Sequence, residues 1–199
     1  MSKSIFEEIY NKYPENKRMA ILCKLLMKKC SFDSGKDAEN LCHLAYWLYI
    51  YGDEETALAV SAYTHDAPFP GRAAFNVWSF ILDVWGLECY ILQKHGQTEA
   101  SLARADEIDR INQLPVGGRT AESVSALTDK IRIRTCYEDV ICRDKIDHAS
   151  SEALANQYRF TALFTMISWG ATGHYPDLNL HHEELEKDIE NYISILLKT

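Results

Sequence analysis

Residues 41–59 are echoed 44 positions later by residues 85–103, and this internal echo restricts the chain more than any other feature. LCHLAYWLYIYGDEETALA lies against WGLECYILQKHGQTEASLA. Tyr46 meets Tyr90, Leu48 meets Leu92 and Gly52 meets Gly96, and beyond the glycine Glu55 meets Glu99, Leu58 meets Leu102 and Ala59 meets Ala103. Each copy reads as a helix, a turn centred on glycine and a second helix. Neither member of such a pair buries its apolar stripe alone, so pairs stack into arrays. Apolar residues recur at helical spacing along nearly the whole chain and strand-type alternation is almost absent. The expected fold is therefore all-α, an irregular array of antiparallel helical hairpins with about eight or nine helices and no sheet.

The length of 199 residues suits one domain, or at most two small ones. Hydrophobic residues at 47% supply enough surface for a core, which excludes a disordered chain. A formal charge of -8 argues against nucleic-acid binding, which needs a basic footprint. Glu7 and Glu8 interrupt the place where a signal peptide requires an apolar run. The longest apolar passage, residues 75–92, contains Asp83 and Glu88 and so does not read as a membrane span. A cytoplasmic protein without membrane contact is expected, as monomer or weak homodimer. Its six cysteines (Cys23, Cys30, Cys42, Cys89, Cys136, Cys142) are then free thiols, mostly small core residues. No Cys-x-x-Cys pair supports a zinc or redox site, and no cofactor is expected.

Helices are expected over about 4–12, 14–29, 36–51, 53–65, 73–95, 97–112, 121–143, 151–170 and 180–197. Ser4 followed by Glu7 forms a capping box. Pro14 opens the second helix, whose buried face carries Met19, Leu22, Cys23, Leu26 and Met27. Residues 67–71 (APFPG) and 114–118 (LPVGG) break the pattern. The organisation is a single domain over 1–199, with hairpin units at about 36–66 and 73–113 followed by C-terminal helices over 120–198. The last helix, with Leu185, Ile189, Tyr192, Ile193 and Leu196 on one stripe, caps the core or forms a dimer contact.

The first unit resembles a tetratricopeptide repeat. Leu41, Leu44, Ala45 and Leu48 stand at that family's Trp, Leu, small-residue and Tyr positions, Ala57 at its close-approach alanine and Pro68 near its closing proline. In the second unit Trp85, Cys89 and Leu92 take the Trp, small and Tyr positions. Ser101 replaces the alanine, and Glu88 stands where Leu belongs. The likeness covers about 75 residues, and its 44-residue period exceeds the roughly 34 of the family. By size, charge and helical content the chain is also similar to small bacterial helical proteins, some of which are immunity partners of secreted toxins.

In tetratricopeptide-like arrays the first helices line a concave groove. The resemblance therefore implies that His43, Trp47, Asn76, Ser79 and Asp83 face a protein or peptide partner, with Trp47 and Tyr51 as core residues the other reading. Arg132 and Arg134 are two residues apart, too far round a helix to share a face, so one points inward, toward an acidic ligand or an internal carboxylate. Asp83 and Glu88 lie in the most apolar helix, where a carboxylate needs a partner. They serve either as functional acids or as ion-pair partners of Arg132, Arg134 or Arg143. His174, Asp177, His181, His182, Glu183, Glu184 and Glu186 form the one His-acidic cluster, which suits capping of the last helix better than metal binding. No nucleophile elbow or phosphate loop is present.

Three functions follow as expectations. The first is a protein–protein interaction module, not an enzyme. The second is an immunity-type protein that neutralises a basic toxin. The third is an enzyme centred on Asp83 and Glu88.

Overall fold

The two echoed glycines both sit in the left-handed region, Gly52 at φ 79° and Gly96 at φ 73°, and each ends a helix. A computed structural model describes residues 4–32, 35–67, 75–112, 147–152, 154–155 and 182–198. Among these residues the protein is all-helical and has seven helices: α1 (Ile5–Lys12), α2 (Lys17–Lys28), α3 (Gly35–Ile50), α4 (Glu54–Ala62), α5 (Phe75–Lys94), α6 (Thr98–Asn112) and α7 (His182–Leu196). The helices expected over 121–143 and most of 151–170 lie outside the described residues. The backbone groups into two compact units, Met1–Val84 and Trp85–Thr199, divided within α5.

The turns after α3 and α5 correspond bond for bond. Gly52 N–H donates to Tyr49 O at 2.9 Å and Asp53 N–H to Leu48 O at 2.9 Å; Gly96 N–H donates to Gln93 O at 2.9 Å and Gln97 N–H to Leu92 O at 2.8 Å. This is a Schellman ending, in which the last free carbonyls of the helix are satisfied by a residue that must adopt positive φ. A Cβ at either glycine would meet nothing within 4 Å. Glycine is therefore required here by backbone conformation and not by crowding. The next helix then starts alike in both, with Ala57 N–H donating to Asp53 O and Ser101 N–H to Gln97 O, each at 3.0 Å.

In the first unit α1 packs on α2 and α4, and α3 packs on α2 and α4. Between Asp37 and Ile50 every residue of α3 except Glu39 is buried. This helix is the centre of the unit, with Leu41, Leu44, Ala45, Tyr46 and Leu48 wholly enclosed. Tyr46 carries a hydroxyl into that interior and donates it to Asp83 O at 3.0 Å. Ser4 caps α1 as expected, accepting from Glu7 N–H at 3.3 Å.

Two local readings are corrected. Helix α2 begins at Lys17, not Pro14, because Asn16 is the N-cap and its side chain accepts from Met19 N–H at 3.0 Å. Its buried face holds Met19, Cys23 and Leu26, while Met27 is exposed. Helix α4 ends at Ala62, and the chain continues to Ala67 through three-residue turns such as Thr64 N–H to Ser61 O at 2.8 Å.

Candidate functional site

The residues expected to line a groove do not share one environment. His43, Trp47 and Asp83 are buried in the first unit. The His43 ring meets Phe80 edge-on at 6.3 Å between centroids. Trp47 is 3% exposed and carries the Arg18 guanidinium over its ring, 4.9 Å from the centroid. The main-chain carbonyl of Asp83 receives the Tyr46 hydroxyl. The side chains of Asn76 and Ser79 lie outside the described residues, as do Arg132 and Arg134.

Beside Trp47 lies a polar knot built on Asp53. One carboxylate oxygen accepts from Lys12 Nζ at 2.8 Å and Tyr13 OH at 2.6 Å; the other accepts from Thr56 Oγ1 at 2.8 Å. Tyr13 and Trp47 each meet the ring of half-exposed Tyr51. Asp53 occupies the N-cap position of α4, but its side chain makes no cap bond there. The end of α1, the glycine turn and the start of α4 are instead pinned to one carboxylate. Burial alone would raise the Asp53 carboxyl, but the three hydrogen bonds outweigh it and hold the group below the ordinary carboxylate value. Burial and then the Asp53 carboxylate hold the Tyr13 phenol above its usual value.

This arrangement sets a pH dependence. A carboxyl depressed on folding contributes stability above its unfolded value near 4 and loses it as pH falls through the folded value below that. The stability gap between wild type and Asp53→Asn, measured by urea unfolding, is therefore expected at pH 7 and narrows steadily below about pH 4. A gap that stays constant with pH would remove Asp53 from this role.

In the second unit α5 meets α6 through a reciprocal buried pair. Ser101 Oγ donates to Cys89 O at 3.0 Å, and Cys89 Sγ lies 3.5 Å from Ser101 O. One residue earlier on α5, Glu88 Oε1 accepts from Arg104 Nε at 3.2 Å, and the guanidinium covers Trp85 at 4.6 Å from the ring centroid. The ion pair is largely enclosed, with side-chain exposures of 9% for Glu88 and 19% for Arg104. Arg104, a residue not considered for this role in the sequence, is thus a partner of Glu88, while Arg132, Arg134 and Arg143 lie outside the described residues. The 44-residue offset contained this signal. It places Glu88 on Leu44 and Arg104 on Val60, so an apolar pair of positions in the first unit is occupied by an ion pair in the second.

The described cysteines, Cys23, Cys30, Cys42 and Cys89, are thiols and not disulfides. Burial pushes Cys23 up to about 11 and, with help from Asp37, raises Cys30, which is the opposite of an activated nucleophile. Among the described residues no group of three or more His, Cys, Asp or Glu is placed to hold a metal ion. The 174–186 cluster has no described side chains. Among the described residues no helix is long and apolar enough to cross a membrane.

Fold and side-chain arrangement together define an all-α protein whose helix pairs are held by polar contacts at their turns and crossings. The chain belongs to a family of unknown function, DUF6707, whose model matches residues 1–197. The match identifies no tetratricopeptide-type repeat family. No curated protein and no solved structure matches the chain.

Proposed function

We propose that this protein is a protein–protein interaction module built on tetratricopeptide-like helical hairpins. The observation that carries this reading is the pair of glycine turns, with the same hydrogen bonds at a 44-residue offset. Small residues also stand at the corresponding positions Ala45 and Cys89, and Ala57 and Ser101, all buried. A scaffold of this kind presents the outer faces of rigid helices, and its specificity comes from what those faces carry. In this reading the enclosed His43, Trp47 and Asp83 set the scaffold's shape, and partner contact falls on exposed helix surface. An enzyme centred on Asp83 and Glu88 has less support, because Glu88 is held in an ion pair with Arg104.

The test is capture with the purified full-length chain as bait, followed by reconstitution of the complex from the two pure proteins. A defined stoichiometric complex by sedimentation is the expected result. Failure to reconstitute any recovered candidate would end the proposal.

The net charge of -8 favours a second reading, an immunity-type protein that binds and neutralises a basic toxin. In that case the reconstituted partner is basic, association slows steeply with salt and the partner's toxicity is lost in the complex.

A further inference from the structure

Helix α2 runs against the charge of the chain that contains it. Residues 16–30 carry Lys17, Arg18, Lys24, Lys28 and Lys29 and not one Asp or Glu, in a protein of net charge -8. The inner face of α2 is spent on the core through Met19, Cys23 and Leu26. Its outer face is open: Ile21 is 59% exposed, Leu25 44% and Met27 41%, and Lys17, Lys24 and Lys28 are exposed among them.

At 3.6 residues per turn these side chains fall in a definite order. Lys24 and Lys28 lie within about 20° of Lys17, so the lysines form a ridge along the middle of the face. Ile21 and Leu25 lie about 40° and 80° to one side, and Met27 about 80° to the other. A helix that lies in a membrane has the reverse pattern, a continuous apolar sector toward the acyl chains with basic residues at its margins. The apolar sector of α2 is already buried in the protein. Pairing of α2 with α2 of a second copy would set lysine ridge against lysine ridge, which like charge opposes.

We infer that the outer face of α2 is a docking surface for an acidic amphipathic helix of a partner protein. Carboxylates on the partner meet the Lys17–Lys24–Lys28 ridge, and apolar side chains beside them cover Ile21 and Leu25. This inference rests on the reading of the chain as an interaction module and names the chemistry of its partner.

Two synthetic helical peptides of equal apolar content are the probes, one with a row of glutamates along its polar face and one with lysines at the same places. They are titrated into the full-length protein by fluorescence anisotropy. The acidic peptide is expected to bind, with affinity falling about tenfold or more between low and moderately high salt, and the lysine peptide is not. A Lys17→Glu/Lys24→Glu/Lys28→Glu variant reverses that preference, and Ile21→Ser/Leu25→Ser weakens the acidic peptide about tenfold while leaving its salt dependence in place. All five positions are exposed, and an unchanged circular dichroism spectrum and melting temperature confirm that each variant folds.

Equal binding of both peptides overturns the inference, as does binding indifferent to the variants. So does preferential binding to phosphatidylserine-containing vesicles, or self-association that the Ile21→Ser/Leu25→Ser variant abolishes. If a reconstituted partner binds the charge-reversed variant as well as wild type, the interaction-module reading stands and the α2 surface alone is wrong. If no partner is reconstituted with either, the broader reading fails.

Discussion

Arg104→Val is expected to cost about 3–5 kcal/mol of stability, while the double variant Glu88→Leu/Arg104→Val returns to within about 2 kcal/mol of wild type. The single change leaves the Glu88 carboxylate, 9% exposed, without the guanidinium that it meets at 3.2 Å. Taking a guanidinium away from a buried carboxylate is among the largest penalties that one substitution imposes. Glu88→Leu alone is milder, because Arg104 retains the Trp85 ring and, at 19% exposure, reaches toward water. The double variant restores the apolar chemistry found at the corresponding Leu44 and Val60, both wholly buried. Its residual cost is the lost contact of the guanidinium with Trp85, about 0.5–2 kcal/mol. Urea unfolding of the four proteins closes a double-mutant cycle. Additive single costs would mean that the pair is not coupled.

Trp47→Ala is expected to remove about 3–5 kcal/mol, a large part of the 5–15 kcal/mol typical of a domain. The indole is 3% exposed and supports Arg18 on one face and Tyr51 beside it. Trp47→Phe keeps an aromatic core residue and costs less. The same measurement separates two roles. An interior Trp47 lowers the urea midpoint sharply, whereas a groove-lining Trp47 would leave the midpoint nearly unchanged and weaken only partner binding.

The parts of this fold legible in the sequence are those that one residue type alone can satisfy. Gly52 and Gly96 were readable because a Schellman ending demands positive φ. The cap at Ser4 was readable because capping is local. The start of α2 was misplaced because Pro14 and Asn16 both signal a helix beginning and only the hydrogen bond to Met19 decides between them. Long-range partners were harder. Nothing near Asp53 in sequence announces Lys12 and Tyr13, which arrive from 41 and 40 residues away. The groove expected at His43, Trp47 and Asp83 followed from likeness to a family whose first helices have one open side. Here α3 is covered on both sides by α2 and α4, and its nearly unbroken apolar run was the local sign of that. Met27 was placed inward because it is apolar and lies within about 40° of Cys23 on α2, yet it stands at the margin of the buried face and is exposed.

Two helix pairs of similar design in one chain carry a hazard during folding: each second helix is a plausible mate for the wrong first helix, and exchange of like elements is the characteristic error of repetitive chains. The Glu88–Arg104 pair acts against that error as a lock that admits one key. Helix α4 laid on α5 would bring Val60 to Glu88 and strand a carboxylate in an apolar seam, and α6 laid on α3 would press Arg104 against Leu44. Either mispairing is penalised by an unmatched charge, while both correct pairings are free of one. Substituting an ion pair for an apolar pair in one of the two units thus labels the halves of an otherwise similar chain, so that each helix finds its own neighbour.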